Sequence, residues 1–175
     1  MDPPLGGVTL HHVKTLRSET VNLHYDNYLT RKYPLLYRDR HASARTTCMV
    51  WGFSCGDGWF NILNALSAKL SYPYEEAKYR YEYAIEKGFA EDRIALARAQ
   101  MDNLRESHPL AVQVKEKFGG LRFYANNLTE DQHKYVSFAE SVASRTCEVC
   151  GKRGKLRAGG WLRTLCGEHT ITKGK

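Results

Sequence analysis

Apolar positions along this chain keep a helical period in three stretches before residue 107, switch to alternation, and then return to the helical period. Val21, Tyr25, Tyr28, Leu29 and Lys32 fall on one face of a helix that Ser18 can cap and that stops before Pro34. Residues 1–17, with Pro3, Pro4, Gly6 and Gly7, read as an extended lead-in. Asp57 is placed to cap a second helix, where Trp59, Ile62, Leu63, Leu66 and Leu70 recur at helical spacing and Pro73 ends the run. Residues 75–106 are charged and helix-prone, interrupted at Gly88, which predicts a helical hairpin or one kinked helix. Tyrosines 72, 74, 79, 81 and 83 are expected to pack as a stripe into the core, the other reading being a surface that faces a partner.

The period then becomes two. Leu110, Val112 and Val114 alternate with Ala111, Gln113 and Lys115, and the Phe118-Gly119-Gly120 turn returns the chain through Leu121-Arg122-Phe123-Tyr124. Thr129 and Gln132 match a capping box, and Tyr135, Phe138, Ala139 and Val142 stripe the helix behind it. These elements predict an α+β fold: a mostly helical body over residues 1–144 with a small antiparallel β-hairpin, and a terminal module over 145–175 docked on it.

That terminal module carries the most specific chemistry. Cys147 and Cys150 stand three apart, and Cys166 and His169 repeat the spacing after fifteen intervening residues. Two such pairs close a tetrahedron around one Zn²⁺. Gly151 and Gly167 are expected in tight turns that need positive φ. A redox dithiol would leave Cys166 and His169 unexplained, disulfides sit poorly with an odd total of five cysteines and no signal peptide at Met1, and chance must supply two correct spacings. Four protein ligands leave no open position, so the metal is expected to be structural. The two other cysteines, Cys48 and Cys55, are expected to be small buried hydrophobes among aromatics, with a reactive thiol beside Asp57 as the alternative.

Charge adds a direction. Residues 145–175 hold eight Lys or Arg against Glu148 and Glu168, which is +6 of the chain's formal +7. Lys152, Arg153, Lys155, Arg157 and Arg163 are therefore candidate contacts to phosphates or to an acidic protein. A second basic stretch, Arg31 to Arg45, interleaves Tyr33 and Tyr37 and reads as a surface loop or a stacking platform for single strands. The composition is 42% hydrophobic, with eleven Tyr, six Phe and three Trp, enough to build a core. No apolar run is long enough for a membrane span, so a cytoplasmic, reducing setting is expected, in a bacterium or an infected host cell.

Motifs for a reaction are missing. The chain has no phosphate-binding Gly-x-x-x-x-Gly-Lys, no dinucleotide fingerprint, no Gly-x-Ser-x-Gly and no His-Glu-x-x-His, and no small-molecule cofactor is expected. A small nuclease or hydrolase would have to draw on His41, Cys55 and Asp57, whose spacing does not require them to meet.

Lys32-Tyr33-Pro34, Cys55-Gly56-Asp57-Gly58-Trp59, the run Val114 to Tyr124, Thr146 to Gly151, Gly160-Trp161 and Thr164-Leu165-Cys166 resemble an uncharacterised family of small zinc-finger proteins of tailed bacteriophages, prophages and bacteria. The resemblance covers most of residues 31–169, and residues 74–107 match least. It implies a viral or mobile-element origin and carries over no catalytic residue. The terminal module is also similar to the treble-clef finger of the DksA and TraR group, with His169 where those proteins have a fourth cysteine and no equivalent of their paired acidic tip. The expected function is a non-catalytic binding protein that engages a host protein or nucleic acid, for example to inhibit or redirect a host or defence system. An enzyme and a virion component are the alternatives.

Overall fold

A computed structural model describes residues 21–170. Its elements are α1 (Leu23–Lys32), β1 (Phe53–Ser54), α2 (Phe60–Glu86), α3 (Glu91–Glu106), β2 (Leu110–Lys117), β3 (Gly120–Asn126), α4 (Glu130–Ala143), β4 (Lys155–Arg157) and β5 (Arg163–Leu165), with single 3-10 turns over Cys48–Trp51 and Asp57–Trp59. The fold is α+β, as the periodicities predict. β1 runs parallel to β2, β2 pairs antiparallel with β3, and β4–β5 form a separate two-stranded ribbon. Helices α2 and α4 and the three-stranded sheet enclose one core around Trp59, Phe53, Leu63, Leu70, Val114 and Leu121.

Several boundaries differ from the sequence expectations, each for a local reason. Ser18 lies outside the described residues, and α1 is capped by Asn22, whose Oδ1 accepts the His24 N–H at 2.8 Å. Asp57 caps no helix, because its Oδ1 instead accepts the Asn22 N–H at 2.6 Å and ties the start of α1 to the start of α2. Pro73 does not end α2. It sits inside a 27-residue helix, where a proline forfeits one backbone hydrogen bond and crowds the preceding turn. Buried Gln132 of α4 donates to the Leu70 carbonyl in that turn at 3.3 Å, and α3 packs alongside. Tertiary packing therefore carries the helix through.

Gly88 adopts φ +62° and turns α2 back into α3, so the hairpin reading holds. The tyrosine stripe does not: Tyr72, Tyr79 and Tyr83 are exposed, and only the small residues Ala77 and Ala84 of that stretch are buried.

Strand β2 carries a bulge between Ala111 and Gln113, which changes its phase. Ala111 and Val114 consequently face the core, where strict alternation would have buried Leu110 and Val112. On α4 the capping box forms as expected, with both Thr129 and Gln132 bonds present. Because Gln132 is also anchored on Leu70, the buried face runs 132, 136, 139, 143; Tyr135 is exposed and Phe138 is 71% exposed.

The basic stretch around residue 40 is largely structural. Arg40 binds the buried Asp26 carboxylate through Nε and Nη2 at 2.9–3.1 Å and donates to the Val50 carbonyl at 2.8 Å. Tyr33 and Tyr37 are buried, which removes them as stacking platforms. Their hydroxyls meet Asn64 and Ser67 of α2.

Candidate metal centre

Helix α4 ends at Ala143, and the chain then makes a knuckle whose backbone is fully specified. The Gly151 N–H returns to the Cys147 carbonyl at 2.9 Å, the Cys147 N–H reaches the Lys152 carbonyl at 2.7 Å, and the Gly154 N–H reaches the Arg145 carbonyl at 2.8 Å. Gly151 takes φ +75°, the left-handed turn expected of it. Gly167 does not take positive φ, since the second pair turns without it. The Glu148 N–H donates to the Thr164 carbonyl at 2.9 Å, which brings β5 and the second pair beside the first.

The donor atoms of Cys147, Cys150, Cys166 and His169 all lie within 4.8 Å of one another and could hold one metal ion. The Cys150 and Cys166 sulfurs are 3.8 Å apart, and His169 Nδ1 stands 3.2 Å from Cys166 Sγ and 3.6 Å from Cys147 Sγ. A disulfide needs sulfurs about 2.05 Å apart, so these are separate thiols sharing one centre. Burial pushes the Cys147 thiol up, but the amides of Cys166, Cys150 and Val149 outweigh it and hold the thiol below its ordinary value. Burial likewise opposes ionisation of Cys166, where the amide and ring of His169 win. Cys150 is held above its ordinary value by burial and by its neighbouring thiols. Three sulfurs and an imidazole aimed at one point, two of the sulfurs surrounded by N–H donors, form a donor set suited to a cation and with no vacant protein-side position.

The seam around this centre was not legible as such in the sequence. The 3-10 turn after β1 lies directly on the knuckle: the Gly58 N–H donates to the Glu148 carbonyl at 2.8 Å, and the fully buried Trp59 donates its indole N–H to the Thr146 carbonyl at 2.8 Å. Gly56 and Gly58 are glycines because backbone meets backbone. A Cβ on Gly58 would overlap the Cys147 carbonyl oxygen and lie 2.6 Å from the Gly151 nitrogen, and one on Gly56 would lie 2.8 Å from Glu148 Cγ. From the other side, the tip of the β2–β3 hairpin supports β5, with Thr164 Oγ1 donating to the Gly119 carbonyl at 2.6 Å. The Cys55–Trp59 and Val114–Tyr124 motifs of the body thus both serve the seat of the terminal module.

Inside this seam Glu148 is buried and accepts from Arg163 Nε at 3.1 Å. Lys152 meets Glu168 at 2.8 Å in the open. Among the described residues, Arg145, Arg153, Lys155 and Arg157 have no carboxylate partner. The five candidate contact residues therefore divide: Arg163 is committed to the seam, Lys152 to an exposed pair of small energetic value, and Arg153, Lys155 and Arg157 keep their charge available.

Cys55, Asp57 and His41 each sit in a different setting. Cys55 is buried, and burial, followed by the nearby carboxylates of Glu148, Asp57 and Glu116, pushes its thiol far above the ordinary range. Asp57 is occupied with Asn22, and His41 is exposed. Cys48 is also exposed, because the 3-10 turn that it begins buries Met49 instead. No described helix is long and apolar enough to cross a membrane. Compared with protein-family models, curated proteins and solved structures, the chain matches none.

Proposed function

We propose that this is a non-catalytic, zinc-stabilised binding protein of viral or mobile-element origin, which uses its basic terminal module to engage a host protein or nucleic acid in the cytoplasm. Inhibition or redirection of a host or defence system is the use that fits such an origin. The observation that carries the reading is a closed four-ligand centre clamped to the body by backbone hydrogen bonds while leaving unpaired cations on its outer face.

Zinc is the ion that best suits the donors. With Zn–S near 2.3 Å and Zn–N near 2.0–2.1 Å, a tetrahedron has sulfur–sulfur edges of about 3.8 Å and sulfur–nitrogen edges of about 3.6 Å. The 3.8 Å sulfur–sulfur and 3.6 Å sulfur–nitrogen separations match those edges, and the 3.2 Å separation of His169 from Cys166 is shorter. Cys147, Cys150 and Cys166 would bind as thiolates and His169 through Nδ1, and the ion would supply folding energy rather than a reaction.

The 175-residue chain should be retained on heparin and released by salt. The variant K152A/R153A/K155A/R157A should elute at clearly lower salt, with unchanged metal content and melting temperature. Unchanged elution would remove the basic face as the binding surface. Loss of a hydrolytic activity on D57A or H41A, with folding intact, would replace the reading with an enzyme.

A further inference from the structure

Large apolar side chains crowd one end of the seam while pointing outward. Trp161, in the loop between β4 and β5, is 66% exposed, and Phe118, at the tip of the β2–β3 hairpin, is 69% exposed. The two belong to one surface. Trp161 donates its indole N–H to Glu116 Oε2 at 3.3 Å, two residues before Phe118, and Gly119, one residue after it, is covered by Leu156 of β4.

Phe118 is also conformationally costly. It takes φ +53° and Gly119 φ +79°, the pair of left-handed residues that a two-residue hairpin turn requires. Asn or Gly ordinarily fills the first position, and a bulky aromatic there is an outlier that its own burial does not explain. Trp161 also lines an open cleft of about 900 Å³ that has Lys155, Arg157 and Arg163 in its wall. Arg163 is committed to Glu148, while Lys155 and Arg157 have no carboxylate partner among the described residues. Lys117 adds a cation next to Phe118, and the Glu116 carboxylate is held by Trp161 and the Gly119 N–H.

We infer that this surface binds single-stranded nucleic acid, with unpaired bases stacking on Trp161 and Phe118 while Lys155, Arg157 and Lys117 take the phosphates. Exposed rings can reach a base face only where the bases are not already stacked in a duplex, and cations interleaved with aromatics are the chemistry of strand-tracking grooves. An acidic protein would pair with the cations and seat against the same rings, as partners do on the aromatic anchors of protein interfaces; a preference for unpaired bases is what separates the two. The inference rests on the binding-protein reading above and names its partner.

The test uses the zinc-loaded full chain and a fluorescein-labelled oligothymidylate, read by anisotropy across a salt series, with the duplex of the same strand as comparison. The expected result is preference for the single strand and about five-fold or more weaker binding by W161A and by F118A, since loss of one stacked base costs about that factor or more. W161F should bind nearly as the native chain does, and K155A/R157A should weaken binding and flatten the salt slope by about 0.7 for each phosphate no longer neutralised. Zinc content and melting temperature of each variant serve as controls for folding. Equal binding of duplex and single strand, undisturbed by W161A and F118A, would overturn the stacking inference and leave the basic face standing. No binding of either probe at low salt would overturn it too, and would leave an acidic protein as the partner of the broader reading.

Discussion

Cys150→Ser is expected to lose the metal and, with it, the fold of the terminal module. Structural zinc contributes about 10–16 kcal/mol of apparent binding energy in small modules at neutral pH, comparable to or larger than the ~5–15 kcal/mol that holds a whole domain together. Little else could substitute. The buried hydrophobic cluster of the module is Leu165 with two of the ligand cysteines, Cys147 and Cys166. Its ribbon β4–β5 is three residues long on each side. Once Cys150 cannot ligate, the remaining thiols and His169 face one another without a cation between them. The consequence for the body is predicted to be partial, because Trp59 stays in a core of its own and loses only its bond to Thr146. Limited trypsin digestion checks this: the variant should be cut at Arg145, Lys152, Arg153 and Lys155 under conditions in which the native chain survives, while the body resists. A variant with unchanged zinc content and unchanged protease resistance would contradict it.

Gly58→Ala attacks the same seam from the body side, without touching a ligand. The added methyl would strike the Cys147 carbonyl oxygen and lie 2.7 Å from the Glu148 carbonyl carbon, and none of these is the yielding end of a side chain. Either the 3-10 turn or the knuckle must move, at the expense of the Gly58 N–H bond to Glu148. The expected cost is about 3 kcal/mol, the upper end of ordinary overpacking. Zinc should leave more quickly to a chelator, since the displaced carbonyl belongs to a ligand residue. Gly160→Ala is the control, because a Cβ there meets nothing within 4 Å. Chemical denaturation with a colorimetric zinc-release assay measures both effects. If the two substitutions behave alike, the seam is not a clamp.

These two variants also mark what the sequence disclosed and what it concealed. The ligands were legible because metal chemistry fixes both residue type and spacing, and nothing in tertiary structure can alter either. The Gly88 turn and the Thr129–Gln132 cap were legible for a similar reason, since each is a local device. Phase was another matter. One extra residue at the Ala111/Gln113 bulge exchanged the faces of the start of β2, leaving Val114 in the core, and the Gln132 anchor on Leu70 rotated α4 enough to expose Phe138. Pro73 misled because the energy that carries α2 past it comes from α3 and α4, far away in the chain.

Gly56 and Gly58 were visible only as members of the Cys55-Gly56-Asp57-Gly58-Trp59 motif. Their reason lies far downstream in the knuckle, as the Gly58–Glu148 bond shows. The exposed rings of Phe118 and Trp161 were hidden in the same way: a hairpin tip and a loop between two short strands look unrelated until Glu116 and Leu156 join them.

Elemental analysis of protein purified without chelators, paired with titration of accessible thiols, tests the central claim most directly. One zinc per chain is predicted, with three further thiols that become reactive when the zinc is stripped. A chain carrying no transition metal, with Cys147, Cys150 and Cys166 already reactive or oxidised in the folded protein, would contradict it.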